Sequence, residues 1–113
     1  MIKAQFHRDQ NGHIVSFVVK GHADSGPYGY DIVCAAVSAI TIGTVNGIDA
    51  IAGFQPQVAM DNDNGGYLSV KITTDKSMTD HQKDAAQILL ENLLLEMQSI
   101  QKQYAQFVSV ITN

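Results

Sequence analysis

The sequence predicts an α+β fold in which two helices pack on a mostly antiparallel sheet, a two-layer arrangement with the order ββ-α-ββ-α-β. Two pairs of short alternating segments carry turn chemistry between them, each pair is followed by a long helical pattern, and a last β-rich run closes the chain. At 113 residues the chain suits a single domain over positions 1–113, long enough to bury roughly two thirds of the surface its unfolded form exposes.

In the first pair, Ile2, Ala4 and Phe6 alternate with polar neighbours, Asp9-Gln10-Asn11-Gly12 supplies a turn, and "HIVSFVVK" resumes the strand pattern from His13 to Lys20. After a glycine-rich loop, Asp31 reads as the N-cap of an apolar helix over Ile32 to Ala52, and Gly53 followed by Pro56 reads as its stop. That helix is apolar on nearly every side, more than a two-layer domain covers, so part of it is expected to meet another surface. Gly43 and Gly47, one turn apart, would admit a close backbone, either the second helix or another subunit.

"QVAMD" and "YLSVKITT" form the second pair around an Asn-Asp-Asn-Gly-Gly turn at 62–66. From Thr79, apolar residues recur at Ala86, Leu89, Leu90, Leu93, Met97, Ile100 and Tyr104, one face of a helix, with Thr79 and Gln82 spaced as a capping box. "AQFVSVI" supplies the final strand.

Composition narrows the function classes. Apolar residues make up 45% and charged residues 16% of the chain, ordinary globular values, and no uninterrupted apolar run approaches the ~20 residues of a membrane span. No membrane partner is expected. Seven basic residues against eleven acidic give a net charge of -4, and the basic ones are scattered, so direct nucleic-acid binding lacks its electrostatic footprint. A single cysteine forms no internal disulfide, and Met1 leads directly into a strand pattern without a secretory beginning, so a cytoplasmic setting is expected. The four histidines show no metal-ligand spacing and no phosphate-binding GxxxxGK occurs; neither metal nor other cofactor is expected.

The stretch "GHADSGPYGYDIVC" carries the chemistry. With the helix starting at Ile32, Cys34 takes the third helical position, where unpaired N–H groups and the helix dipole favour a thiolate. His22, at the end of the second strand, would be brought near by a strand-loop-helix connection and can act as its general base. Residue type leaves two readings of Cys34, nucleophile or ordinary core cysteine, since "IVCAAVSAI" has the look of a core segment. His22 on its own reads more readily as a strand-end histidine bonded to a carbonyl than as a base. Asp31 either caps the helix or orients His22; Ser38, one turn beyond Cys34, either hydrogen-bonds near the sulfur or bonds back to the helix. Gly21, Gly26, Tyr28, Gly29 and Tyr30 combine a permissive backbone with amphipathic side chains suited to gripping a peptide, or else form a surface turn.

With these residues in view, "GHADSGPYGYDIVCAAVSAI" closely resembles the signature of the bacterial ribosomal-processing cysteine proteases, the Prp or YsxB-like family: the Gly-His pair, the glycine loop, the Asp-Ile-Val-Cys-Ala-Ala-Val-Ser run and the twelve-residue interval from His22 to Cys34. The resemblance extends to chain length and element order. It implies a cysteine endopeptidase that removes a short N-terminal extension from large ribosomal subunit protein twenty-seven in ribosome assembly, with Cys34 as nucleophile and His22 as general base. It further implies a homodimer, and substrates whose extension is hydrophobic and aromatic-rich just before the cut. The competing reading is a non-catalytic α+β module that binds a ribosomal or other protein, with Cys34 buried.

Overall fold

The computed structural model describes residues 1–21, 30–61 and 66–113, with Tyr30 and Asp31 described by their backbone alone. Among these residues the elements are β1 (Ile2–Arg8), β2 (Ile14–Lys20), α1 (Tyr30–Gly47) continuing into a π-helical turn (Ile48–Ala52), β3 (Gln57–Asp61), β4 (Tyr67–Lys71), α2 (Asp80–Gln103) and β5 (Val108–Thr112). The strands form one sheet in the order β3-β4-β2-β1-β5. Every pairing is antiparallel except β1 with β5, which run parallel because α2 crosses between the sheet's two ends.

Strand alternation selects the core. Ala4, Phe6, Phe17, Val19, Leu68 and Val70 are buried, and the registers Phe6↔Phe17, Ala4↔Val19 and Val19↔Leu68 place them on one face. Phe6 and Phe17 stack with ring centroids 5.4 Å apart, a cross-strand aromatic pair of the kind that adds to area burial. The first turn closes on Asp9, whose side chain accepts from the Asn11 and His13 N–H groups at 2.8 and 3.0 Å, with Gly12 at φ +86°.

Helix α2 starts as its sequence predicts. The Gln82 N–H donates to the Thr79 hydroxyl and the Thr79 N–H to the Gln82 side chain, at 3.1 and 2.9 Å. Ala86, Leu90, Leu93, Leu94 and Met97 are its buried residues. Leu94 joins the predicted stripe, while Tyr104, at the C-cap where the helical repeat ends, is exposed and leaves it. Polar side chains bolt α2 to the sheet. Gln87 both accepts from the Ile14 N–H and donates to the Ile14 carbonyl, at 2.9 and 2.8 Å, where the β1–β2 register shifts. Arg8 and Glu91 form a two-pronged ion pair at 2.5 and 2.9 Å.

The first helix differs from its prediction in three ways. It begins at Tyr30 rather than Ile32, so Asp31 lies inside the first turn and is not the N-cap. An acidic residue is favoured both at the N-cap and in the first turn, so residue type alone does not separate the two positions. Its last five residues form a π-helical turn, closed where the Gly53 N–H donates to the Ile48 carbonyl at 2.9 Å, with Gly53 left-handed at φ +84°. The stop at Gly53 is as predicted. Finally, the run Ile32–Ala52 spans 21 residues at mean hydropathy 1.6 and is long and apolar enough to cross a membrane by length and composition. The expectation that no stretch reaches the length of a membrane span is corrected to that extent: Ser, Thr, Gly and Asn interrupt the run while Asp49 is its one charge, and a core helix can have the same length and composition. Val33, Val37, Ile48 and Ala52 from this segment are buried in the core.

Among the described residues, neither predicted close approach of a backbone to α1 is realised. A Cβ at Gly47 would meet Leu89 of α2 at 3.6 Å, ordinary contact, and one at Gly43 would meet nothing within 4 Å. As predicted, the helix has more apolar surface than the domain covers: Ile32 and Ile42 are exposed, as is Ile51 in the π-helical turn.

Candidate active site

The ends of β2 and β3 and the beginning of β4 lie at one end of the sheet, where Lys20 and Asp61 both pair with Tyr67. Gly21 marks that end. It follows β2, adopts φ +82°, and donates its N–H to the Gly66 carbonyl at 3.0 Å. A Cβ there would lie 2.6 Å from the Met1 carbonyl oxygen, so glycine is required both by the left-handed backbone and by the approach of β1. The chain leaves this anchored point into His22.

Cys34 stands in the first stretch of α1, half-buried, and packs against the hydrophobic core. It is neither fully enclosed nor on an open surface, and one flank is apolar. With the helix beginning at Tyr30, Cys34 is the fifth helical residue rather than the predicted third. That places it beyond the four N–H groups left unpaired at a helix start, so the dipole contribution argued from the sequence is weaker. His22, the expected base, lies outside the described residues, together with Gly26, Tyr28 and Gly29 of the predicted substrate loop. Tyr30 is corrected from loop to first residue of α1.

Ser38 lies one turn along from Cys34 and is half-buried; four residues of helix rise carry it roughly 6 Å along the axis. Beyond it the buried hydroxyls of Thr41 and Thr44 donate to the carbonyls of Val37 and Ile40, each at 2.7 Å. They are satisfied inside the helix and present no donor to a ligand.

One feature of how α1 packs is absent from any linear reading. Between α1 and the strands lies a cavity of about 230 Å³, walled by Val37, Thr41 and Ile42 on the helix and by Val19, Met60 and Leu68 on the sheet. Its residues span positions 19 to 68, so no local motif marks it; the strand register and the packing of α1 bring them together.

The arrangement can be set beside known proteins. Residues 1–109 match the family model described as cysteine protease Prp. The chain is 34% identical over 113 residues to the ribosomal processing cysteine protease Prp of Bacillus subtilis, covering 100% of this chain and 98% of the relative. Among solved structures, it superposes with a TM-score of 0.85 at 30% identity on a Prp from S. aureus, described as an essential ribosomal processing protease in complex with a substrate peptide, with 100% of both chains covered. A second S. aureus Prp structure carries a covalently linked product peptide and matches at a TM-score of 0.81 and 32% identity, again over 100% of both chains. These likenesses bear out the compact α+β fold and set aside the reading as a non-catalytic binding module. A fold shared over the full length, with the single cysteine at the start of α1, places this chain in the Prp family of cysteine proteases.

Proposed function

We propose that this chain is the endopeptidase that removes the N-terminal extension of large ribosomal subunit protein twenty-seven, using Cys34 as nucleophile and His22 as general acid and base. One observation carries the reading: a cysteine protease needs a thiol, and this chain contains one cysteine, half-buried near the start of α1. The ribosomal role rests on the names of its relatives and on the motif "GHADSGPYGYDIVC".

In this mechanism His22 accepts the thiol proton as the Cys34 sulfur adds to the scissile carbonyl. The tetrahedral intermediate collapses, the carbon–nitrogen bond breaks, and His22 gives its proton to the departing amine. Water then loses a proton to His22 as it adds to the thioester, the sulfur–carbon bond breaks, and the thiol is restored with a free carboxylate on the extension. Asp31, inside the first turn of α1, and Ser38, one turn beyond the sulfur, are the groups we assign to orienting the imidazole and to hydrogen bonding beside the sulfur. The Gly21 to Tyr30 segment, with Gly26, Tyr28 and Gly29, is the part assigned to gripping the peptide. A homodimer formed through the exposed face of α1 and a cytoplasmic location complete the reading.

The test is incubation with the extended ribosomal protein, followed by mass spectrometry. Cys34→Ala and His22→Ala are each expected to abolish cleavage while leaving the fold intact by circular dichroism. Cleavage at the wild-type rate by the His22 variant would remove the dyad; cleavage by the Cys34 variant would remove the protease reading itself.

A further inference from the structure

A two-layer fold leaves one face of its sheet without a helix. Ala4, Phe6, Phe17, Val19, Leu68 and Val70 belong to the core with residues of α1 and α2, so the residues that alternate with them form the other face. Strand register sets that face in three rows across β1, β2 and β4: Lys3, Lys20 and Tyr67, then Gln5, Val18 and Ser69, then His7, Ser16 and Lys71. The three lysines are exposed and the other six residues half-buried. Positions 3, 20 and 71 are far apart along the chain, which is why its basic residues read as scattered; folding gathers three of the seven on one surface. Among the described residues these rows carry one carboxylate, Asp61, which pairs with Tyr67 from the edge strand. A face of net positive charge therefore stands on a chain whose net charge is -4.

Lys3 and Lys20 lie directly opposite each other, a placement in which like charges destabilise a strand pair. Among the described residues neither is in an ion pair, those being Arg8 with Glu91 and Asp9 with His13. An anion between the two ammonium groups would offset their repulsion. The two lysines border a hollow of about 210 Å³ that Tyr67, Gln5, Val18 and Ile111 also line. An apolar cavity of about 150 Å³ accepts benzene, so this one has room for a single planar base. Val18 and Ile111 give it apolar surface, Tyr67 a ring, and Gln5 an amide that both donates and accepts.

We propose that the open face of the sheet binds single-stranded RNA, with Lys3, Lys20 and Lys71 at phosphates and Tyr67 stacking on a base. The ligand must bring a fixed negative charge and a planar ring together in one repeating unit, as a nucleotide does. An acidic peptide brings carboxylates without the ring, and an inorganic anion leaves the apolar part of the hollow uncovered. The strand must be single, because in a duplex the bases are stacked on one another and are not free to lie on a protein ring. Sheet-borne aromatics stack unpaired bases while neighbouring cations track the backbone. The inference is independent of the protease reading, since Cys34 packs against the core on the opposite side of the sheet.

The experiment titrates full-length protein into a short fluorescein-labelled oligouridine and follows anisotropy between about 20 and about 200 mM NaCl. With three phosphate contacts, the logarithm of the association constant should fall against the logarithm of salt concentration with a slope of about -2. Lys3→Gln and Lys20→Gln should each flatten that slope by about 0.7. Tyr67→Leu should weaken binding roughly 5–100-fold at unchanged slope, because it removes stacking and no charge. Lys83→Gln, on α2, should change neither. Lys3→Gln should unfold at the same urea concentration as wild type or a higher one, since it removes a like-charge pair, so its weaker RNA binding is not a loss of fold. Absence of RNA binding at the lowest salt would overturn the proposal, as would lysine variants that keep the wild-type slope or a Tyr67→Leu variant that keeps the wild-type affinity. Duplex RNA binding as tightly as the single strand would overturn it too. So would displacement of the RNA by an equal concentration of oligoglutamate of the same charge, which would assign the face to an acidic protein, and so would an equal flattening by Lys83→Gln, which would assign the effect to overall charge.

Discussion

Replacing Gly21 with alanine puts a methyl group where β1 leaves no space for one, immediately before His22. Gly12 is the natural control, because it has nearly the same backbone, φ +86° against +82°, but nothing within 4 Å of an added Cβ. A left-handed backbone costs a non-glycine residue about 1–2 kcal/mol, and Gly12→Ala should carry that cost alone. At Gly21 the added Cβ lies 2.6 Å from the Met1 carbonyl oxygen, so backbone must move. Ile2, next to Met1, donates to the Phe107 carbonyl at 2.8 Å, and Gly21 itself donates to the Gly66 carbonyl at 3.0 Å. Weakening one of these bonds adds about 1 kcal/mol. Gly21→Ala should then destabilise by about 2–3 kcal/mol, a fall in Tm of roughly 8–12 °C for a domain of this size. Urea unfolding of both variants by circular dichroism measures the difference, and peptide cleavage at a temperature where both are folded measures its effect on the site. We expect Gly21→Ala, and not Gly12→Ala, to lower kcat/KM. Equal destabilisation of the two variants, within the error of extrapolation, would refute the close approach of β1; full activity in Gly21→Ala would refute its role in placing the residue that follows.

Three further outcomes are expected. Cys34 should alkylate rapidly near neutral pH, below the ~8.5 reference value of a thiol; a rate that rises only near that value, or only in denaturant, would mark an inert cysteine. Hydrogen bonding to Arg8 lowers the Glu91 carboxyl below its usual 4.5, so the stabilisation it provides is fully present above the unfolded value and disappears as pH falls through the lower folded one. Glu91→Gln should accordingly cost about 0.5 kcal/mol near neutrality, modest because both partners are partly exposed, and cost less in acid; a pH-independent difference in urea unfolding would contradict this. Gly43→Ala, in an exposed helical position, should stabilise the chain by about 0.5–1 kcal/mol, and destabilisation accompanied by loss of a dimer in sedimentation would show that a second subunit's backbone covers that position.

The boundaries of α2 and of the first hairpin were legible because local chemistry sets them. Thr79 and Gln82 close a capping box between neighbours, and Asp9 folds the turn onto Asn11 and His13; such contacts form whatever the rest of the chain does. The start of α1 was less legible, since Asp31 suits two positions at a helix start, and with it moved Cys34 from third to fifth helical residue. The π-helical turn after Gly47 had no sequence mark, nor did the exposure of Tyr104, which falls at the C-cap where the helical repeat ends.

By itself the sequence determined the element order, the two-layer class, and the residues that can do covalent chemistry, because periodicity and the singularity of Cys34 are properties of the chain alone. Tertiary structure decided the long-range contacts. The parallel pairing of β1 with β5, the approach of Met1 to Gly21, and the meeting of Val19, Met60 and Leu68 with α1 all join residues far apart in sequence. Contacts of that kind arise from strand register and helix packing, which depend on every element at once and leave no trace in any single stretch of residues.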